Sequence, residues 1–247
     1  MSKAKKPIGF DRKIQLGWLD ATAGWAAEGL SLREIRNRLD EFLAGKVAGS
    51  GSHSAKGKTK TVLLHIWVLA PDSLVPLREG ALALYRRLPA SARLPIHWGM
   101  CLATYPFFRE VATTTGRLLN VQGNVVRSHI MRRMVESWGQ RGTLPRAVAR
   151  AMRCLVDWGV LQETGERGIF AATPKARTGH HKGLDTWLVE ALLTNGDNDV
   201  ANLRQLMASP ALFPFALGLS LREMRSNPRL EVTRQGLDQD IVRLRKQ

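Results

Sequence analysis

Residues 106–175, PFFREVATTTGRLLNVQGNVVRSHIMRRMVESWGQRGTLPRAVARAMRCLVDWGVLQETGERGIFAATPK, carry the densest structural signal in the chain. Pro106 stands where a first helical turn tolerates proline, and the apolar spacing behind it predicts a helix to Leu119. A short extended piece follows at about 121–126. Ile130, Met134 and Trp138 share one side of a second helix over about Ser128 to Trp138, and Gly139 to Gly142 make a turn. Thr143 is placed to cap a third helix that runs to Trp158, with Pro145 in its first turn and Gly159 at its end. Two strand-like runs, Val160 to Thr164 and Ile169 to Thr173, flank Gly165-Glu166-Arg167-Gly168, which suits a hairpin. Helix, short strand, helix, turn, helix, hairpin is the order of a winged-helix domain.

At 100° per residue, Arg146, Arg150 and Arg153 of the third helix fall within about 60° of one another. Leu144, Val148, Met152 and Leu155 take the opposite side, and no acidic residue interrupts the run. An exposed helix often carries arginines only as a solvated face. Here the stripe sits on the third helix of the motif and a basic hairpin follows it, so the expectation is a recognition helix for duplex DNA. Thr143 and the first-turn amides are candidates to hold a backbone phosphate. Arg141 in the preceding turn, Arg167 at the hairpin tip, and Lys175 and Arg177 beyond it complete the expected DNA-contacting set in this region.

The charge distribution points the same way. The 247 residues hold 37 Lys plus Arg against 21 Asp plus Glu, a formal net charge of +16. Residues 1–60 carry 12 basic and 6 acidic side chains and residues 121–182 carry 11 and 4, whereas 183–247 carry 8 of each. Two segments therefore seek polyanions and the last quarter does not. With 44% hydrophobic residues the composition is globular, which excludes a disordered polycation. The uncharged stretch Leu94 to Phe108 is too short to cross a bilayer and holds Pro95, His97 and Pro106. Asp11, Arg12 and Lys13 stand where a secretory signal needs its apolar core, so the expected location is cytoplasmic, with no membrane partner. Cys101 and Cys154 each lie in an apolar helical pattern, which gives neither a disulfide framework nor a thiolate metal site.

Upstream, residues 11 to 28 predict a first helix. Ser31 with Glu34 forms a capping box for a second, on which Leu32, Ile35, Leu39, Phe42 and Leu43 make an apolar stripe. The corner at Gly29-Leu30-Ser31 has the form of a helix-turn-helix corner, as many helical hairpins do. Residues 44 to 60 are rich in Gly, Ser and Lys and read as a mobile basic arm, with Lys56, Lys58 and Lys60 as phosphate contacts. A third helix is expected at about Thr59 to Ala70, and further helices at 76 to 88 and 95 to 104. Downstream, helices at 184 to 194 (stopped by Asn195-Gly196) and 200 to 208 precede an extended Phe213 to Leu219. Ser220 and Glu223 form a second capping box, and Leu230 to Arg234 pairs with Ile241 to Arg245 as a hairpin. The expected fold is mainly α: winged-helix or helix-turn-helix units with short hairpin wings, and a small α+β C-terminal unit. Its segments are 1–70, 71–105 as a connector, 106–182 and 183–247, the last neutral and suited to meeting a protein.

No catalytic constellation stands out. Gly57-Lys58-Thr59 ends like a phosphate-binding loop, but Ser52 occupies the position that needs glycine and no strand precedes it. The only acid-x-lysine triplet, Asp11-Arg12-Lys13, lies upstream of Pro71-Asp72 and is no nuclease motif. His53, His65, His97, His129 and the pair His180-His181 lack ligand spacing, and Asp238 and Asp240 read as turn residues. The expectation is a non-enzymatic protein without metal or cofactor.

Three stretches, EGLSLREIRNRL at 28–39, YPFFREVA at 105–112 and RAVARAMRCLVDWGVL at 146–161, give the chain a resemblance over roughly residues 11–165 to the BrxA family. These are small DNA-binding proteins of bacterial BREX phage-defence systems. The long basic linker and the segment from 183 onward depart from that pattern. The resemblance implies duplex binding within a defence apparatus whose enzymatic work other proteins perform. Two further expectations remain: a transcriptional regulator, and a structural or adaptor subunit that contacts RNA or an acidic protein.

Overall fold

The computed structural model describes residues 7–178, 181–194, 200–235 and 239–245. It is mainly helical with small sheets. The chain enters as an extended segment, residues 7–15, rather than as the expected first helix from residue 11. Phe10 and Ile14 are fully buried along it, so these apolar residues serve as anchors of a strap and not as a helical stripe. Helix α1 (Leu16–Ala27) follows, then α2 (Leu32–Phe42), whose capping box between Ser31 and Glu34 forms as expected.

The basic segment at 44–60 is not a free arm. Residues 44–54 form a turn, and α3 (Ala55–Trp67) begins within the lysine-rich run, with the Ser54 hydroxyl accepting from the Gly57 amide at 3.0 Å. A Cβ on Gly57 would lie 2.2 Å from the Gly51 carbonyl oxygen, so glycine alone lets the loop close over the first helical turn. Thr59, Val62, Leu63, Ile66 and Trp67 are buried, and this side of α3 supplies the apolar area that the linker composition lacks.

A short 3-10 turn, Asp72–Leu74, leads into α4 (Val75–Arg87), and α5 (Leu94–Thr104) and α6 (Pro106–Gln122) follow. Gly123, left-handed at φ +72°, ends α6 and turns the chain into β1 (Asn124–Val126). Then come α7 (Arg127–Trp138), α8 (Leu144–Asp157), β2 (Leu161–Glu163) and β3 (Ile169–Ala172). The three strands form one antiparallel sheet in the order β1-β3-β2, with Val126 opposite Ile169 and Glu163 opposite Phe170. Elements and order in 106–172 are those the sequence predicts. One detail differs: Thr143 has helical backbone angles and makes no side-chain cap, because a capping side chain needs an extended backbone at that position.

Beyond residue 175, β4 (Ala176–Arg177) pairs in parallel with β6 (Phe215–Ala216). Helix α9 (Leu184–Leu193) is buried on all sides, not on one, and packs against α4 and α5. Trp187 of α9 sits against Gly99, where a Cβ would lie 2.5 Å from the indole, and its Nε1 donates to the Leu77 carbonyl at 2.9 Å. The expected helix at 200–208 is instead β5 (Val200–Asn202) and a short α10 (Leu203–Met207). The expected extended run from Phe213 reduces to β6. Next come α11 (Leu221–Ser226), whose capping box forms, and β7 (Leu230–Gln235) with β8 (Gln239–Leu244), joined by β5 in the order β5-β8-β7. Asn195-Gly196, His180 and Asp238 lie outside the described residues.

The core runs without a break from Phe10 through Trp98, Phe108 and Trp187 to Val242. The segment from 183 is therefore not a separately cored module: its main helix completes the core of the connector at 71–105. Buried charges on α9 bind the C-terminal strands to it. Glu190 accepts from Arg229 at 2.7 Å and from Asn227 at 2.6 Å, and Asp185 accepts from the Gly218 amide at 2.6 Å.

Candidate nucleic-acid interface

Helix α8 has a strongly two-sided sequence. Leu144, Ala147, Val148, Ala151, Met152, Cys154 and Leu155 are buried against α6, α7 and β2. Its outer face is flanked by two walls. On one side the N-terminal strap lies against the second half of the helix: the Ile14 amide donates to Cys154 Sγ at 3.1 Å, Trp158 Nε1 donates to the Ile14 carbonyl at 2.9 Å, and Lys13 pairs with Asp157 at 3.1 Å. On the other side stand the start of α7 and the hairpin turn 164–168, locked together by the Arg127 amide donating to the Gly168 carbonyl at 2.9 Å. Gly168 takes φ +83° there, a backbone conformation that favours glycine.

The expected recognition stripe is thereby divided. Arg146 and Arg153 are exposed, but Arg150 turns into the strap and donates from Nη1 to the Asp11 carbonyl at 2.6 Å. Arg150 is a strap anchor, a correction to its expected role. Arg167 is exposed at the hairpin turn as expected. Arg127, which helical periodicity does not single out, comes to the same place because β1 pairs with β3 and delivers the first residue of α7 beside Gly168. The signal that could have found it is that pairing register, Val126 opposite Ile169.

A trough runs along α8 between these residues. Its upper part, ≈ 390 Å³, is bounded by Arg127, Arg167, Met131, Pro145, Val148 and Ala149, and Arg146 follows Pro145 at that end. Its lower part, ≈ 450 Å³, is bounded by Arg127, Arg153 and Arg167 together with Glu163 and Glu166. Arg127, Arg146, Arg153 and Arg167 make no side-chain hydrogen bond or ion pair among the described residues. Arg127, Arg153 and Arg167, from α7, α8 and the hairpin, are thus left unpaired along this concave surface, and Arg146 is exposed and unpaired on the first turn of α8.

The other expected contacts lie elsewhere. Thr143 is exposed at the start of α8, and Arg141 packs in the turn before it, 5.9 Å from the Trp138 ring centre. Lys175 and Arg177 are exposed past the base of the hairpin, away from Arg167, and Arg177 belongs to β4. Lys56 and Lys60 converge on Asp40 of α2, Lys56 at 4.0 Å and Lys60 in a shorter contact, while Lys58 is exposed. Lys56 and Lys60 line a ≈ 460 Å³ groove with Arg36 and His65. Because α3 packs on α1, α2 and α5, and α8 on α6, α7 and β2, the lysines and the α8 arginines belong to separate groups of elements.

The other polar constellation is internal. Asp20 accepts from Arg93 at 3.2 Å and pairs with His97 Nε2 at 3.3 Å, and Tyr85 lies between them under the Arg93 guanidinium. His97 is only 1% exposed, with Trp67 edge-on. Burial pushes the His97 pKa below its usual value, and the Asp20 carboxylate only partly offsets this. Burial raises the Asp20 carboxyl, but the His97 hydrogen bond and the His97 and Arg93 charges prevail and hold it below the usual range.

Both shifts destabilise the protein in acid. Below a pH of about 6.5 the unfolded histidine binds a proton that folded His97 refuses, and further down the Asp20 contribution is lost as pH falls through its folded value. Glu190, raised by burial despite Asn227 and Arg229, works in the opposite sense: its contribution is lost as pH rises through its folded value. The test is therefore a difference. Moving from pH 7 to pH 5 should cost the wild type more stability than it costs His97→Gln in urea unfolding; equal losses would remove His97 as the cause.

Among the described residues no group of three His, Cys, Asp or Glu side chains is placed to hold a metal ion, and no single helix is long and apolar enough to cross a membrane. Cys101 and Cys154 are buried free thiols, and burial raises both pKa values, that of Cys154 to about 12. The chain matches no protein-family model, no curated protein and no solved structure.

Proposed function

We propose that the protein binds double-stranded DNA without catalysis, through a winged-helix unit in which α8 is the recognition helix and the β2–β3 hairpin the wing. The observation that carries this reading is the grouping of unpaired Arg127, Arg153 and Arg167, from three elements, along one trough, with exposed Arg146 on the first turn of the same helix. The order helix, strand, helix, helix, hairpin and the strand order β1-β3-β2 support it, as does the net charge of +16. The BrxA resemblance supports a role within a cytoplasmic phage-defence assembly; a regulator would use the same surface. The lysine groove between α2 and α3 is a second, weaker polyanion surface, because Asp40 neutralises part of it.

Fluorescence anisotropy with a short duplex, the matching single strand and an RNA duplex tests this reading. Four phosphate contacts predict a slope of log affinity on log salt of about −3.6, hence a loss of roughly 100-fold between about 50 and 200 mM salt. A salt-independent or undetectable interaction with DNA, together with stable co-purification of a protein partner, would instead favour the adaptor reading.

A further inference from the structure

Arg127 and Arg167 rim a depression of ≈ 390 Å³ whose floor is Met131, Pro145, Val148 and Ala149. No carboxylate lines it, whereas Glu163 and Glu166 line the adjoining lower part of the trough. Its size is that of a small-ligand cleft, about 300–1,000 Å³. Its hydrocarbon floor is a poor match for a fully paired duplex. Paired DNA presents phosphates, sugars and the polar edges of bases, with the thymine methyl as the main apolar group in the major groove. A depression with two guanidiniums on its rim and an apolar floor fits a group that is anionic at one end and flat and weakly hydrated at the other. A nucleotide whose base has left the stack has that form.

We infer that this depression takes one unstacked nucleotide, its phosphate between Arg127 and Arg167 and its base on the Met131 and Val148 floor. The inference rests on the DNA-binding reading above and adds which DNA is preferred: a strand with a bulged, frayed or overhanging nucleotide over a fully paired one. The preference follows from the cost of unstacking, a few kcal/mol for a paired base and much less for one already unpaired.

The test compares two duplexes of equal length and charge, one fully paired and one with a single bulged 2-aminopurine, at one salt concentration. The bulged duplex should bind about 10-fold more tightly, as the base face leaves water for the apolar floor. The 2-aminopurine emission should change on binding as the base leaves the DNA for the pocket. Met131→Gln keeps charge and approximate length but makes the floor polar; it should bring the preference within about 3-fold and leave the thermal midpoint unchanged.

Displacement of the bulged probe by dAMP would name a free mononucleotide as the occupant, and a preference that persists without displacement names a nucleotide held in a strand. Equal affinity for the two duplexes, an unresponsive 2-aminopurine, or a full preference in Met131→Gln overturns the inference and leaves duplex binding standing. Failure to bind either duplex overturns both readings.

Discussion

Replacing Arg127, Arg146, Arg153 and Arg167 together with alanine should weaken duplex binding by about 100-fold or more, because the counterion release of up to four phosphate contacts is lost. The salt slope should flatten by about 0.9 for each phosphate that no longer meets an arginine. All four guanidiniums lack side-chain partners among the described residues, so the circular dichroism spectrum and the thermal midpoint should hold. Arg150→Ala is the contrasting variant. It removes the 2.6 Å bond to the Asp11 carbonyl, which loosens the strap and costs about 1 kcal/mol of stability while the salt slope stays unchanged. An equal loss of affinity from Arg150→Ala with no loss of stability would restore the three-arginine recognition face expected from periodicity. Wild-type affinity in the fourfold variant would remove α8 and the hairpin as the interface.

The largest stability effect is expected at Arg109. Helix α9 ends inside the protein, where its last carbonyls have no intrahelical partner. The Arg109 guanidinium donates to the Leu192 carbonyl at 2.8 Å, to Ala191 at 2.8 Å and to Thr194 at 2.7 Å, and its Nε donates to Leu102 at the end of α5 at 3.1 Å. One planar cation thereby caps α9 and ties it to α5 and α6. Arg109→Met keeps much of the hydrocarbon but leaves these carbonyls bare, which should cost roughly 3–5 kcal/mol. That is a large share of the usual margin of about 5–15 kcal/mol and should lower the thermal midpoint by about 10 °C. Arg109→Lys should recover only part of the loss, because a single ammonium cannot reproduce the fork. A midpoint within about 2 °C of wild type for Arg109→Met would show that water or local rearrangement satisfies the freed carbonyls.

Local rules made the middle of the chain legible. Prolines at 76, 95 and 106 mark first helical turns, Gly159 follows the end of α8, and both capping boxes close as their spacing requires. Each of these signals acts within a few residues, so the chain expresses it whatever surrounds it. The same reasoning located Arg146, Arg153 and Arg167, since helical periodicity and a hairpin turn are also local.

It failed where a distant partner decides the outcome. The run GKVAGSGSHSAKGKTK at 45–60 has the composition of a linker, yet its second half is helical because α3 has α1, α2 and α5 to pack on and because Asp40 receives Lys56 and Lys60. The charge balance of residues 183–247 suggested a neutral module suited to meeting a protein. Buried Asp185 and Glu190 contribute to that balance, however, and their partners lie in the C-terminal segments that close over α9.

Propensity, capping and 3.6-residue periodicity are short-range, and from them the helical content, the helix-strand-helix-helix-hairpin order of residues 106–172 and the basic character of α8 can all be read. Which arginines face outward depends on long-range packing. Arg146, Arg150 and Arg153 are equivalent on a helical wheel, and the strap held by Phe10 and Ile14 takes Arg150 out of the stripe while the β1-β3 pairing brings Arg127 in. Burial decides it: Phe10 leaves water against Tyr105 and Phe108 at the start of α6 and Ile14 against Cys154 and Trp158 at the end of α8, and no local pattern encodes where they land.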